Sequence, residues 1–93
     1  MDISELRLRI DEIDDKLVSL FCERMRVAAD IARYKAENAL PVLDKGREAR
    51  KLDDVLSKTD EDLREYMSGL YSQIFGLSRA YQECILRGRE QKF

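Results

Sequence analysis

The chain has 93 residues, of which 44 % are apolar and 39 % charged, and its formal net charge is −2 at pH 7. A chain of this length is expected to form a single domain over residues 1–93, with a modest core. The slightly negative balance predicts no bulk attraction to nucleic acid or to an anionic membrane. No apolar run approaches the roughly 18 residues of a membrane span, and the N-terminus has no signal-peptide core. These features predict a cytoplasmic protein, and the dominance of Leu, Ala, Glu, Lys and Arg, with one Pro and four Gly, predicts an all-helical one.

Histidine is absent from the chain, and its two cysteines, Cys22 and Cys84, are far apart in the sequence. A zinc site draws its ligands mainly from Cys and His, so no metal site is expected. Catalysis that depends on a histidine base or on a histidine-activated nucleophile is excluded. We expect both cysteines to be reduced, partly buried thiols. If the protein is an enzyme, its reaction must need neither histidine nor a metal.

The longest pattern in the sequence is an amphipathic stretch from Ile3 to about Asn38, with neither Pro nor Gly inside it. Its apolar positions recur every three or four residues, as on a helix face that packs against other helices. These positions are Ile3, Leu6, Ile10, Ile13, Leu17, Leu20, Val27, Ile31 and Tyr34. The pattern predicts a first helix over about residues 3–38, capped by Asp2 or Ser4.

The predicted first helix is too long for a compact monomer. Some 36 residues of helix span roughly 54 Å, whereas a compact domain of this size has a radius of gyration of about 12 Å. The apolar face beyond the reach of the remaining chain needs a cover, and a second copy is the simplest one. The helix length therefore predicts a homodimer.

Two cations lie in or beside the apolar face of this helix. Arg24 occupies a position where the repeat calls for an apolar residue, and Lys35 follows it by three turns. At 100° and about 1.5 Å per residue, the two lie within about 20° of one face and roughly 16 Å apart. A buried arginine needs an anion, either a carboxylate of another helix or that of a ligand. Arg7, at the edge of this face, could pair with Asp11 or reach a neighbouring helix.

A loop and a short second helix follow. Pro41 is expected to end the first helix, because the residue before a proline avoids helical geometry. Asp44 is a suitable N-cap for a second helix over about residues 45–56. Arg47 and Glu48 fall in its first turn, where glutamate suits the helix dipole and arginine opposes it. This turn should lie near the C-terminal end of the first helix.

A third helix is predicted over about residues 60–86, with Thr59 and Asp62 as a variant capping box. Ser78 and Gln82 lie one turn apart beside its apolar face. Small polar residues at such a position usually serve helix packing and hydrogen bonding, and the alternative is contact with a ligand.

The predicted layout is long helix, short helix, long helix, with eight polar residues on or near the inward faces. They are Arg7, Arg24, Lys35, Asp44, Arg47, Glu48, Ser78 and Gln82. In these residues and their spacing the chain resembles the all-helical (type II) chorismate mutases, from LRLRIDEIDDKL through ERMRVAADIARYK and PVLDKGRE to SRAYQ. The resemblance implies a three-helix protomer in an intertwined homodimeric helical bundle. It also implies the rearrangement of chorismate to prephenate, a step of phenylalanine and tyrosine biosynthesis, without a cofactor.

The resemblance assigns a role to each of these residues. Arg24 and Arg7 would bind the two carboxylates of chorismate, with Arg7 donated across the dimer. Lys35 and Gln82 would donate hydrogen bonds to the ether oxygen of the breaking C–O bond. The other four form the rest of the pocket.

In that pocket Glu48 and the backbone of Asp44 would hold the ring hydroxyl, and Arg47 and Ser78 would surround the carboxylates. The rearrangement is a single pericyclic step without proton transfer, so it does not require histidine. Catalysis would come from holding the enolpyruvyl arm over the ring and from donors aimed at the ether oxygen.

Two other functions are left open by the sequence. Isochorismate pyruvate lyases resemble these mutases and share much of the site, so a related pericyclic elimination is one alternative. The other is a helical dimerisation or regulatory module without catalysis, in which Arg24 and Lys35 would pair with protein carboxylates. The resemblance also allows a fusion to a prephenate dehydratase or dehydrogenase domain.

Overall fold

A computed structural model describes residues 2–90 of the chain, with side chains described for residues 2–88. Its elements are α1 (Ile3–Glu37), α2 (Lys45–Ser57), a single 3-10 turn (Glu61–Leu63) and α3 (Arg64–Glu90). No strand occurs in this span, and the prediction of three helices in the order long, short, long is confirmed. The third helix runs beyond its predicted end near residue 86.

The N-cap of α1 is one of the two residues that the sequence singled out, whereas its C-terminal end is not set by the predicted residue. At the N-terminus, the Asp2 carboxylate accepts a hydrogen bond from the backbone N–H of Glu5 at 2.9 Å, so Asp2 rather than Ser4 is the N-cap. At the other end, α1 stops at Glu37, well before Pro41. Proline is therefore not what ends this helix.

The C-terminus of α1 closes through its own backbone. Leu40 N–H donates to the Lys35 carbonyl at 2.8 Å, and Ala39 N–H donates to the Ala36 carbonyl at 3.4 Å. Ala39 adopts a left-handed conformation with φ of 54°. These bonds form the usual helix-terminating motif in which glycine is the preferred residue at the left-handed position. The turn directs the chain back towards α1 and so positions the loop before α2.

The start of α2 was predicted correctly and the start of α3 was not. Asp44 caps α2 by accepting a hydrogen bond from the Arg47 N–H at 3.0 Å. Thr59, predicted to cap α3, instead donates its hydroxyl to the Val55 carbonyl at 2.7 Å. Asp60 precedes the 3-10 turn and makes no side-chain capping bond. The prediction is wrong because a threonine hydroxyl can bond back to the preceding helix.

The helix α3 packs against both α1 and α2. The buried apolar side chains are Ala28, Ala29 and Ala32 on α1, and the buried polar ones are Ser78 and Gln82 on α3. No large side chain among the described residues is fully buried. Small side chains allow two helices to pack at short axial distances, and the C-terminal halves of α1 and α3 make this contact. The core of one protomer is accordingly small.

The N-terminal half of α1 is not covered by any other described part of the chain. Every residue from 3 to 23 is exposed, including the six apolar positions of the predicted packing face. The molecule measures 57 × 29 × 14 Å and its radius of gyration is 16.8 Å, above the roughly 12 Å of a compact domain of this length. Within the described residues, no helix has both the length and the hydropathy that crossing a bilayer requires.

Candidate functional site

A cavity of about 330 Å³ lies where the C-terminal half of α1, the first turns of α2 and the middle of α3 meet. Seven of the eight polar residues singled out from the sequence line it: Arg24, Lys35, Asp44, Arg47, Glu48, Ser78 and Gln82. The other lining residues are Val27, Ala28, Ile31, Val42, Lys51, Phe75 and Arg79. The volume is in the roughly 300–1,000 Å³ range of small-molecule sites. The cavity is open to solvent.

Arg7 does not line this cavity. It lies on the uncovered half of α1, exposed to solvent. The helix separates it from Arg24 by about 25 Å along the axis, which no pair of side chains can bridge to one small ligand. Any contact of Arg7 with a cavity of this kind must therefore be made to another copy of the chain.

The lining of the cavity is cationic although the chain as a whole is slightly acidic. Its charged side chains are Arg24, Lys35, Arg47, Lys51 and Arg79 against Asp44 and Glu48, a formal charge of +3. A concave site with this balance of charge attracts anions. Among the described residues, no three Cys, Asp or Glu side chains cluster as a metal site. The arrangement is therefore suited to a small organic anion.

Arg24 lines the cavity and has no carboxylate partner in the part of the chain whose side chains are described. Its side chain is half-buried, and among residues 2–88 no Asp or Glu oxygen lies within ion-pair distance of it. Among residues 2–88, the interhelical salt bridge of Arg24 considered from the sequence is thus not formed, nor does Arg7 pair with Asp11. A half-buried guanidinium with free donors, facing a cavity, is a binding group for a carboxylate.

Lys35 lies in the last turn of α1, where the helix dipole favours a cation. Its ammonium donates a hydrogen bond to the Val42 carbonyl at 2.8 Å. This bond holds the loop between α1 and α2 against the cavity. Because an ammonium group carries three hydrogens, two remain for other acceptors in the cavity.

Ser78 and Gln82 form the floor of the cavity on α3, and both are buried. The Gln82 amide nitrogen donates to the Ser78 hydroxyl at 3.1 Å, and its second hydrogen is left for another acceptor. The Gln82 carbonyl oxygen is buried and has no hydrogen-bond partner among the described residues. Unpaired buried polar atoms are rare and often mark a ligand contact.

The N-terminus of α2 supplies the third wall. The Asp44 carboxylate is used by the helix cap, because it accepts from Arg47 N–H, whereas the Arg47 side chain is exposed at the cavity. Glu48, one residue further, is half-buried and forms an ion pair with Arg79 of α3. Sequence reasoning missed Arg79. It lies between Ser78 and Gln82 in sequence, but only the packing of α2 on α3 shows that it faces the site.

Lys51 is a further cavity cation that the sequence reasoning did not identify. It contacts Asp54, one turn further along α2, at 3.4 Å, and Lys58 contacts the same carboxylate at 3.1 Å. The hydrogen bond from Lys58 is the main reason why the pKa of Asp54 is lowered below its ordinary value, with Lys51 contributing less. Lys51 is thereby held at the edge of the cavity.

Comparison with known proteins gives consistent matches. The family described as chorismate mutase type II matches residues 6–83, a range that contains all eight predicted site residues. Over 46 residues the chain is 41 % identical to a chorismate mutase of Methanocaldococcus jannaschii, covering 50 % of this chain and 46 % of that protein. Over 35 residues it is 51 % identical to a bifunctional chorismate mutase/prephenate dehydratase of Pseudomonas aeruginosa, covering 38 % of this chain and 10 % of that protein. The matched segments span less than half of either curated relative. No solved structure matches the chain significantly.

Proposed function

The chain belongs to the chorismate mutase type II family, and we propose that it rearranges chorismate to prephenate in the cavity between its three helices. The observation that carries the proposal is the cavity lining, in which cations surround a partly apolar space of about 330 Å³. Chorismate carries two carboxylates, and guanidinium and ammonium groups are the side chains that bind carboxylates most strongly. The reaction needs no histidine, and the chain contains none.

The chemical step is intramolecular. The ether C–O bond breaks while a new C–C bond forms, and negative charge develops on the ether oxygen. The protein has to hold the enolpyruvyl arm over the ring and place donors at that oxygen. Lys35, with two ammonium hydrogens left over from its bond to Val42, and Gln82, with its second amide hydrogen, are suited to this task. A cation in a partly apolar cavity acts more strongly than one in water.

The substrate carboxylates would be bound by the arginines. Arg24, which has no carboxylate partner among residues 2–88, would bind one of them through its two-pronged guanidinium. Arg47 and Ser78 would complete this part of the pocket. Glu48 and the backbone of Asp44, at the N-terminus of α2, would bind the ring hydroxyl. These assignments use groups that line the same cavity.

The second carboxylate would require Arg7 of another copy, so we propose that the site is completed in an intertwined homodimer. The exposed apolar face of α1 supports this, because a face of that length is unusual on a monomer. If two α1 helices run antiparallel and Arg7 of the partner subunit lies level with the cavity, the two-fold axis falls at about residues 16–21. Leu17 and Leu20 lie in this interval. Such a dimer contains two equivalent sites.

The decisive experiment follows the loss of chorismate absorbance with purified protein and identifies the product. Wild type should form prephenate, and Lys35→Ala should lower turnover by about 10²–10³-fold, the usual effect of removing one donor to a developing oxyanion. Lys58→Ala is the matched control, because Lys58 is exposed and does not line the cavity. It should retain wild-type turnover. Wild type that leaves chorismate unchanged would refute the proposal.

The two alternatives are less well supported. In a non-catalytic module Arg24 and Lys35 would be paired with protein carboxylates, and within the described residues neither is. A lyase would release pyruvate from isochorismate, so the same assay with that substrate separates it from a mutase.

The Pseudomonas aeruginosa relative is bifunctional by name, which is compatible with this domain being part of a longer protein with a prephenate dehydratase or dehydrogenase domain. The cytoplasmic location stays a prediction from sequence.

A further inference from the structure

Arg79 of α3 forms an ion pair with Glu48 of α2, and both side chains line the cavity. Both are largely shielded, with 34 % of the Arg79 side chain and 26 % of the Glu48 side chain exposed. Within residues 2–88, this is the one ion pair that joins two helices; the other three connect residues three or four apart. The pair therefore links the wall that holds Glu48 to the wall that holds Ser78 and Gln82.

The surroundings of the pair restrict both partners. Glu48 lies in the first turn of α2, where the free N–H groups of the helix favour a carboxylate. The Arg79 guanidinium lies beside Gly76, where an added Cβ would be 4.0 Å from its Nη2 atom. The side chain thus extends along α3 over the preceding turn, as long helical side chains usually do. Its Nη1 atom donates to Glu48 Oε2.

Glu48 has other cations within the same cavity. Arg47 precedes it directly, and Lys51 follows it by three residues on the same helix. A glutamate with several rotatable bonds could turn towards either of them if Arg79 were absent. Since a guanidinium has donors only, the Glu48 Oε2 atom that faces it must be an acceptor, and the second oxygen is left for a donor from the ligand.

We propose that Arg79 is a positioning residue: it holds the Glu48 carboxylate in the orientation in which its second oxygen accepts the hydrogen bond of the substrate's ring hydroxyl. This inference rests on the proposed function and extends it by one residue. The hydroxyl is not part of the breaking or forming bonds. Arg79 should consequently affect the binding of ground state and transition state alike, so its replacement should change mainly KM.

The test is a double-mutant cycle measured as kcat and KM for chorismate. Arg79→Ala should raise KM by about tenfold and change kcat by less than about threefold. Arg79→Lys, which keeps the positive charge, should have a KM close to that of wild type. In a Glu48→Gln background the Arg79→Ala change should have less than about a twofold further effect, because the two residues act as one unit. Arg33→Ala is the control, since Arg33 pairs with Asp30 on an exposed face outside the cavity.

The possible outcomes distinguish an Arg79 that positions Glu48 from an Arg79 that acts independently of it. Additive effects of Arg79→Ala and Glu48→Gln would overturn the inference, because Arg79 would then act independently of Glu48. Wild-type KM in Arg79→Ala would overturn it as well, while the proposed function would stand. An inactive wild type would instead refute the proposed function, and the inference with it. If Arg79→Ala does not fold, Arg79→Gln keeps the length and one donor group of the side chain and is measured in its place.

Discussion

The amide nitrogen of Gln82 donates to the Ser78 hydroxyl at 3.1 Å, one turn earlier on α3, while the Gln82 carbonyl oxygen is buried without a partner among the described residues. A buried polar atom without a hydrogen bond costs about 1–3 kcal/mol. Gln82 lines the cavity, so its side chain combines a position at the candidate site with an unpaired buried oxygen that costs stability.

Replacing Gln82 by leucine separates these two effects. Gln82→Leu has a similar volume and removes the unpaired oxygen, so its free energy of unfolding should be unchanged or higher by about 1 kcal/mol. Turnover of chorismate should fall by about 10–100-fold, because a donor to the ether oxygen is lost. Denaturant unfolding and the absorbance assay measure the two quantities. The control is Gln73→Leu, at an exposed position of the same helix, which should leave turnover unchanged. Unaltered turnover in Gln82→Leu would contradict the proposed donor role of Gln82.

The shared site predicts complementation between two inactive variants. Arg7→Ala and Lys35→Ala should each lower turnover strongly, because each removes a group from both sites of the dimer. A mixed dimer of the two variants contains one site in which Arg7 and Lys35 are both intact. After unfolding and refolding an equimolar mixture, about a quarter of the sites should be intact, and turnover should recover to about that fraction of wild type.

The control for complementation is refolding of each variant alone, which should recover nothing. Recovery should also require subunit exchange, so that mixing without unfolding gives a slower gain. No recovery from a refolded mixture that forms dimers would show that Arg7 acts on its own chain's site or not at all.

The exposed apolar face of α1 predicts where dimerisation is sensitive. Leu17 is 55 % exposed in the protomer and falls in the interval of the proposed two-fold axis. Leu17→Asp should dissociate the dimer at micromolar concentration, because it would bury unpaired charges there. Leu8→Asp is the matched control: Leu8 is 62 % exposed, and nine residues at 100° place it about half a turn from Leu17. Analytical ultracentrifugation distinguishes the two, and a Leu17→Asp dimer as stable as wild type would rule out this interface.

Asp54 predicts a pH-dependent contribution to stability. The Lys58 ammonium, and to a lesser extent Lys51, lowers the pKa of Asp54 from its ordinary 3.8. A carboxyl group with a lowered pKa in the folded state stabilises the fold fully above its unfolded pKa and loses this effect as the pH falls through the folded value. Asp54→Asn should therefore be less stable than wild type at neutral pH, and the difference should shrink below about pH 4.

Denaturant unfolding between neutral and acidic pH measures this difference. Asp53→Asn is the control, since Asp53 is the exposed neighbour on α2 and forms no ion pair among the described residues. It should show a smaller pH dependence than Asp54→Asn. A stability difference for Asp54→Asn that stays constant down to strongly acidic pH would contradict the assignment.

The helices and two of their caps could be predicted from the sequence because the forces involved are local. Apolar spacing identifies the ends of α1 and α3 to within about one turn, and a carboxylate at Asp2 or Asp44 bonds to an N–H three residues away. The same locality explains the failure at Thr59. Its hydroxyl can bond either to the helix that follows, as a cap, or to a carbonyl of the preceding helix. It donates to Val55 of α2, and this choice depends on how α2 ends and not on a spacing rule.

The sequence by itself also determined which polar residues share a helix face, because a rotation of 100° per residue relates Arg24 to Lys35 and Ser78 to Gln82. Only the tertiary structure decided which of these charges meet. Glu48 pairs with Arg79, 31 residues further along the chain, and Arg24 has no carboxylate partner among the described residues. The physical reason is that contacts between helices depend on how their surfaces pack, and that packing joins residues that no local periodicity relates.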